Sequence, residues 1–159
     1  MGKEILEEKI SVLYIDDEVE NLNAFKAAFR RKYNVFIVDS AAKGREMLDK
    51  EEIEIILTDQ RMPEMTGVEF LASIVSIYPD PIRMLMTGYS DLNAVIDAVN
   101  QGHIYKYIAK PWNNEHLETI INQAYEVYSL RKENKQLTAE VIRVNGQLEF
   151  MLRQKLSAE

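Results

Sequence analysis

Short apolar runs alternate along the chain with stretches of helical periodicity. Ile10 to Ile15 is the first run, and it breaks off at Asp16-Asp17-Glu18. Between Val19 and Tyr33, Leu22, Phe25 and Phe29 recur at helical spacing and predict one buried face. Val35 to Val38 predicts a second strand, and Ser40 is placed to cap a helix running through Met47 and Leu48. Ile53 to Thr58 is the third strand, and it drives straight into Asp59 and a loop closed by Pro63. Thr66-Gly67-Val68-Glu69 has capping-box spacing. A helix starting there is expected to carry Phe70, Leu71, Ile74 and Ile77 inward before Pro79 and Pro81 stop it. Ile82 to Met86 is a fourth strand, Asp91 to Gln101 a helix ended by Gly102, and Ile104 to Ile108 a fifth strand. Asn113 opens a last helix that meets no stop signal.

Strands alternating with helices imply an α/β fold, a parallel sheet with helices on both faces. Near-continuous apolar strands fit burial on both sides. In open sheets of this kind ligands sit beyond the carboxyl ends of the strands. Asp16 and Asp17 follow the first strand, Asp59 the third, Thr87 the fourth and Lys110 the fifth. Asp39, after the second, is expected to lie outside the site. Each residue alone has an ordinary use: Asp16-Asp17 as a helix cap, Asp59 and Thr87 in turns, Lys110 on the surface. Their joint arrival at one edge is what makes a site.

Composition narrows the picture. The chain has 159 residues, 47% apolar and 28% charged, which suits one globular domain plus an appendage. A net charge of −7 and the lack of any Lys/Arg tract argue against direct nucleic acid contact by this segment. Arg30-Arg31-Lys32, the densest basic run, reads as the solvated end of a helix. With no cysteine there is no disulfide, thiolate metal site or cysteine nucleophile. His103 and His116 read as surface residues. Neither a signal peptide nor a long apolar span is present, so no membrane association and a cytoplasmic location are expected.

Three carboxylates brought together repel. Two unit charges about 4 Å apart at an effective dielectric of about 20 interact by roughly 4 kcal/mol. Such a cluster holds a proton or binds a cation. Hard oxygen ligands without His or Cys suit Mg²⁺. A carboxylate nucleophile beside Mg²⁺, a lysine and a hydroxyl is the set that phosphoryl transfer needs. Asp59 is the expected acceptor, and it needs no general base because a carboxylate is already ionised at neutral pH.

These residues resemble the receiver domain of two-component response regulators. The resemblance covers residues 10–125. It is carried by Ile15-Asp16-Asp17-Glu18, by Asp59-Gln60-Arg61-Met62-Pro63 with Gly67, by Met86-Thr87-Gly88, and by Tyr107-Ile108-Ala109-Lys110-Pro111-Trp112. It implies a flavodoxin-like, doubly wound five-stranded parallel sheet of order 2-1-3-4-5. It also implies a partner sensor histidine kinase that supplies the phosphoryl group to Asp59. Asp17, Asp59, the carbonyl of Arg61 and, largely through water, Asp16 would hold Mg²⁺. Lys110 would pair with phosphoryl oxygens, with a cis Lys110-Pro111 bond. Thr87 and Tyr107 would form the switch, read out on the face made by the fourth helix, fifth strand and fifth helix. Arg61 and Tyr89 stand two residues after Asp59 and Thr87, positions that in receivers border the path of the hydrolytic water. The chain is not expected to be an enzyme beyond its own phosphorylation and autodephosphorylation. A haloacid-dehalogenase-type phosphatase would need a second Asp where Arg61 stands, and a receiver fold that only assembles would not need the acidic set.

The last helix changes character along its length. Leu117, Ile120, Ile121, Ala124 and Tyr128 make a stripe suited to packing on the sheet. Over residues 126–156 a heptad follows: Val127, Asn134, Val141 and Leu148 in one position, Leu130, Leu137, Val144 and Met151 in the other. An Asn at an a position favours a parallel, in-register dimer, and Glu126 and Arg131 fall at g and e. Gly146 lies outside the seam. A homodimeric coiled coil is expected, with an output region outside this chain. The alternative is a helix folded back on its own domain.

Overall fold

The structure, a computed structural model, describes residues 8–88 and 91–158. Each apolar run supplies a strand: β1 (Ser11–Ile15), β2 (Asn34–Val38), β3 (Ile55–Asp59), β4 (Ile82–Thr87) and β5 (Lys106–Ala109). They pair in parallel in the order β2-β1-β3-β4-β5. Alternate side chains of one strand face opposite ways. Tyr14, Leu57 and Met86 therefore face α1 (Val19–Phe29) and the base of α5 (Asn114–Ser157). Leu13, Ile15, Ile56 and Leu85 face α2 (Ala41–Lys50), α3 (Gly67–Ile74) and α4 (Leu92–Asn100). The doubly wound arrangement and strand order agree with expectation.

The apolar runs are longer than the strands they seed. Ile53 and Ile104 are buried but lie ahead of β3 and β5, where they plug the lower edge of the sheet. Tyr33 likewise stands beyond the end of α1, buried, with its hydroxyl donating to Asn122 Oδ1 at 2.8 Å. Ile77 does not point inward. α3 stops at Ile74, and a turn closed by Tyr78 N–H to Ile74 O (2.8 Å) leaves Ile77 51% exposed while Tyr78 takes the place against the core. Helix starts follow the caps: Ser40 accepts from Lys43 N–H, Thr66 from Glu69 N–H and Asn113 from His116 N–H. Gly102, at φ +78°, lies just past the end of α4, in the left-handed conformation that glycine adopts freely.

α5 runs 44 residues without a break. Leu117, Ile120, Ile121, Ala124 and Tyr128 are its buried positions, as the periodicity required. Val127, assigned to the seam, is half-buried against its own domain. From Leu130 onward every described residue is exposed. Two ion pairs tie the helix to the domain: Lys32 with Glu118 at 2.6 Å, and Lys135 with Asp80 in the loop before β4. Among the described residues no helix is long and apolar enough to cross a membrane.

Candidate functional site

The site forms at the carboxyl ends of the strands: Asp59 and Thr87 are the last paired residues of β3 and β4, and Asp16 and Lys110 come one step past the ends of β1 and β5. Ile15 lies opposite Thr58 and Asp59 opposite Met86, so Asp16 and Thr87 flank Asp59 on the two neighbouring strands. Main-chain bonds continue the ladder into the loops: Asp16 N–H to Val38 O, Gln60 N–H to Met86 O, and Lys110 N–H to Thr87 O, at 3.0–3.2 Å. The reactive side chains therefore hang from fixed backbone rather than from free loop.

Asp16, Asp17 and Asp59 each offer one carboxylate oxygen, all within 4.8 Å of one another. Asp16 is fully buried, Asp59 almost so, and Asp17 is exposed. The donor set is all oxygen, which fits a hard divalent cation such as Mg²⁺. Lys110 Nζ reaches Asp59 Oδ1 at 2.6 Å and Asp16 Oδ2 at 3.4 Å. Burial raises the Asp59 carboxyl above its ordinary range; Lys110 opposes this, while repulsion from Asp16 adds to it. Burial also pulls the Lys110 ammonium down, but Asp59 and Asp16 outweigh it, and the net direction is up. Both members of the pair thus shift upward. One ammonium does not offset the desolvation and crowding of two carboxylates, and the cluster remains short of positive charge.

The loop after Asp59 is drawn tight. Gln60 caps α3 twice, its side-chain oxygen accepting from Val68 N–H (2.9 Å) and its carbonyl from Gly67 N–H (3.0 Å). A Cβ on Gly67 would stand 2.3 Å from the carbonyl oxygen of Asp59, so only glycine lets the helix start come this close. Arg61 reaches across to Asp91, ahead of α4, at 3.1 Å. Thr87 is buried, its hydroxyl donating to Gly88 O. Tyr107 stands 42% exposed on β5, on the same face of the sheet as Thr87. The Lys110-Pro111 bond is cis, as expected. Asp39 lies apart, paired with Lys43. Tyr89 lies outside the described residues.

Three site residues escaped the sequence reading: Tyr14, Asn21 and Gln60. Tyr14 donates its hydroxyl to Asp16 Oδ2 at 2.6 Å, and Asn21 Nδ2 donates to the same oxygen at 3.1 Å. Two signals pointed to Tyr14: strand alternation puts it on the same face as Asp16, and a buried tyrosine hydroxyl needs an acceptor.

Comparisons with known proteins converge. The family described as the response regulator receiver domain matches residues 12–122. The hydrogenase transcriptional regulatory protein HoxA of Bradyrhizobium diazoefficiens is 34% identical over 145 residues, 91% of this chain and 30% of that protein. The chain spans about a third of the length of curated relatives it matches. Among solved structures, the signal receiver domain of an HD domain-containing protein from Pseudomonas fluorescens superposes with a TM-score of 0.75 at 26% identity, over 84% of this chain and 98% of that one. A structure described as adenylate cyclase from Rhodopirellula baltica gives 0.78 at 26% identity, over 81% and 96%.

Proposed function

This chain belongs to the response regulator receiver domain family, and on that premise we propose that Asp59 is its phosphoryl acceptor, charged by a sensor histidine kinase. The observation that carries the reading is the Lys110 ammonium 2.6 Å from Asp59 Oδ1 beside two further carboxylates. An Asp59 oxygen attacks the phosphorus of a phosphohistidine. The P–N bond breaks, a P–O bond forms, and the leaving imidazole regains its proton. Lys110 follows the transferred oxygens and offsets their charge. Mg²⁺, when bound, neutralises charge on the phosphoryl group. Asp17, Asp59 and the carbonyl of Arg61 would hold it, and Asp16 would act mainly through water, since protein donors already occupy its oxygens.

Thr87 and Tyr107 form the switch in this reading. The Thr87 hydroxyl leaves Gly88 O for a phosphoryl oxygen, and the exposed Tyr107 ring turns into the space released. Residues 10–125 serve as the receiver, and residues 126–156 as a homodimeric coiled coil that carries the change to an output region. Exposure of Leu130, Leu137, Val141, Val144, Leu148 and Met151 along one seam supports this arm over a helix folded back on its domain. The reading places the protein in the cytoplasm, acting on no substrate but the phosphoryl group it carries.

The test is incubation with acetyl phosphate and Mg²⁺. Wild type should gain the mass of one phosphoryl group, and Asp59→Asn should gain none. Equal labelling of the two would move the acceptor elsewhere. Lys110→Ala should keep Mg²⁺ binding but fail to pass phosphorylation on to the oligomeric state.

A further inference from the structure

Asp16 is 0% exposed, so its carboxylate relies on protein donors rather than on bulk solvent. Glu18 N–H serves Oδ1 at 2.9 Å. Oδ2 receives three donors: the Tyr14 hydroxyl at 2.6 Å, Asn21 Nδ2 at 3.1 Å and Lys110 Nζ at 3.4 Å. The hydroxyl is the shortest of them, in the range of a charge-assisted O–H···O⁻ bond. The lysine is the longest, and it lies closer to Asp59 at 2.6 Å. The Tyr14 ring packs 4.7 Å from Phe25 on α1 and meets Trp112 edge-on at 6.0 Å, two residues past Lys110. One side chain thus touches an acid of the site and the loop that carries its lysine.

We propose that Tyr14 is a positioning residue of the acceptor site: its hydroxyl holds the Asp16 carboxylate and leaves the Lys110 ammonium to Asp59. This rests on the reading of Asp59 as acceptor. A phenylalanine would fill the same space between Phe25 and Trp112, so the core has no use for the hydroxyl. Without it, Asp16 Oδ2 keeps only an amide and a long lysine bond. The ammonium is then drawn toward Asp16, and the carboxylate turns away from the cation site.

Tyr14→Phe isolates the hydroxyl. The whole chain is titrated with Mg²⁺ by calorimetry and by emission of Trp112, its single tryptophan, and then phosphorylated with acetyl phosphate. Loss of an outer-shell hydrogen bond at a metal site costs ten- to a hundredfold in affinity, and Tyr14→Phe is expected to lose about tenfold. Wild type that takes neither Mg²⁺ nor phosphoryl overturns the acceptor reading itself. Wild type that takes both, matched by Tyr14→Phe, overturns only the role of Tyr14. A cycle with Asp16→Ala separates positioning from packing. Tyr14→Phe should add nothing in that background, and an additive loss means that the ring, not the bond, matters. If Tyr14→Phe does not fold, Asn21→Ala removes a second donor from the same oxygen. It should lower Mg²⁺ affinity with the same sign, and unchanged affinity overturns the proposal.

Discussion

α5 is two helices in one. From Leu117 to Tyr128 its apolar residues are buried or half-buried on the domain it belongs to, and from Leu130 to Leu156 its large apolar residues are exposed. The backbone does not change between them. The apolar face does: Leu117, Ile120, Ile121 and Ala124 form a broad patch that a sheet can cover, whereas the seam over 130–140 is narrow and flanked by Arg131, Lys132, Glu133 and Lys135, with Ile142, Phe150 and Leu152 exposed beside it farther out. The first half is covered by its own domain and the second is left exposed. Val127 marks the handover, half-buried on its own domain at the first position of the heptad.

The largest expected effect lies in the exposed half. Leu137→Lys with Leu148→Lys removes two leucines from each chain of the proposed dimer, each contributing about 1.5–3 kcal/mol. Self-association measured by ultracentrifugation should fall roughly ten-thousandfold or more, with labelling by acetyl phosphate unchanged. Lowered receiver stability in that variant would mean that the outer half folds back. Next comes Ile121→Ala, which opens a cavity at a fully buried position. It should cost about 2–5 kcal/mol in denaturant unfolding of the receiver.

A smaller effect is expected from Asp59→Asn in metal-free protein. Burial raises the Asp59 carboxyl in the folded state, so the folded chain binds its proton more readily than the unfolded one. Ionised Asp59 therefore costs stability at neutral pH, and that cost disappears as pH falls through the raised folded-state value. Asp59→Asn should melt higher than wild type at pH 7, and the difference should shrink toward the ordinary carboxylate range near about pH 4. A constant difference across pH would remove ionisation as its cause. Smallest is Asp80→Ala, which cuts an exposed ion pair between α5 and the loop before β4. Unfolding should change by no more than about 1 kcal/mol.

The two regions also differ in how plainly the sequence announces them. Strand positions and the gathering of the main candidate residues at one sheet edge were legible because an apolar run ending in a polar group is a local signal. Asp16, Asp59, Thr87 and Lys110 each stand at such an ending. What was missed depends on three-dimensional neighbours. Ile77 looks like the next buried position of α3, but a turn that ends the helix early gives the place to Tyr78. Tyr14 and Asn21 converge on Asp16 from β1 and α1, and Gln60 bonds a helix start several residues ahead. Ile53 and Ile104 count as strand by hydrophobicity, yet hydrogen-bond pairing begins only beyond them.

An α5 without a joint is a lever arm. Its base is a wall of the core, and roughly 40 Å of rod extends from Leu130 to Ser157 at about 1.5 Å per residue. A tilt of about 5° at the base, small enough for side chains such as Ile121 and Tyr128 to absorb by repacking, moves the far end by about 3–4 Å. A shift too slight to unsettle the receiver is thereby magnified at the tip to the size of a side chain.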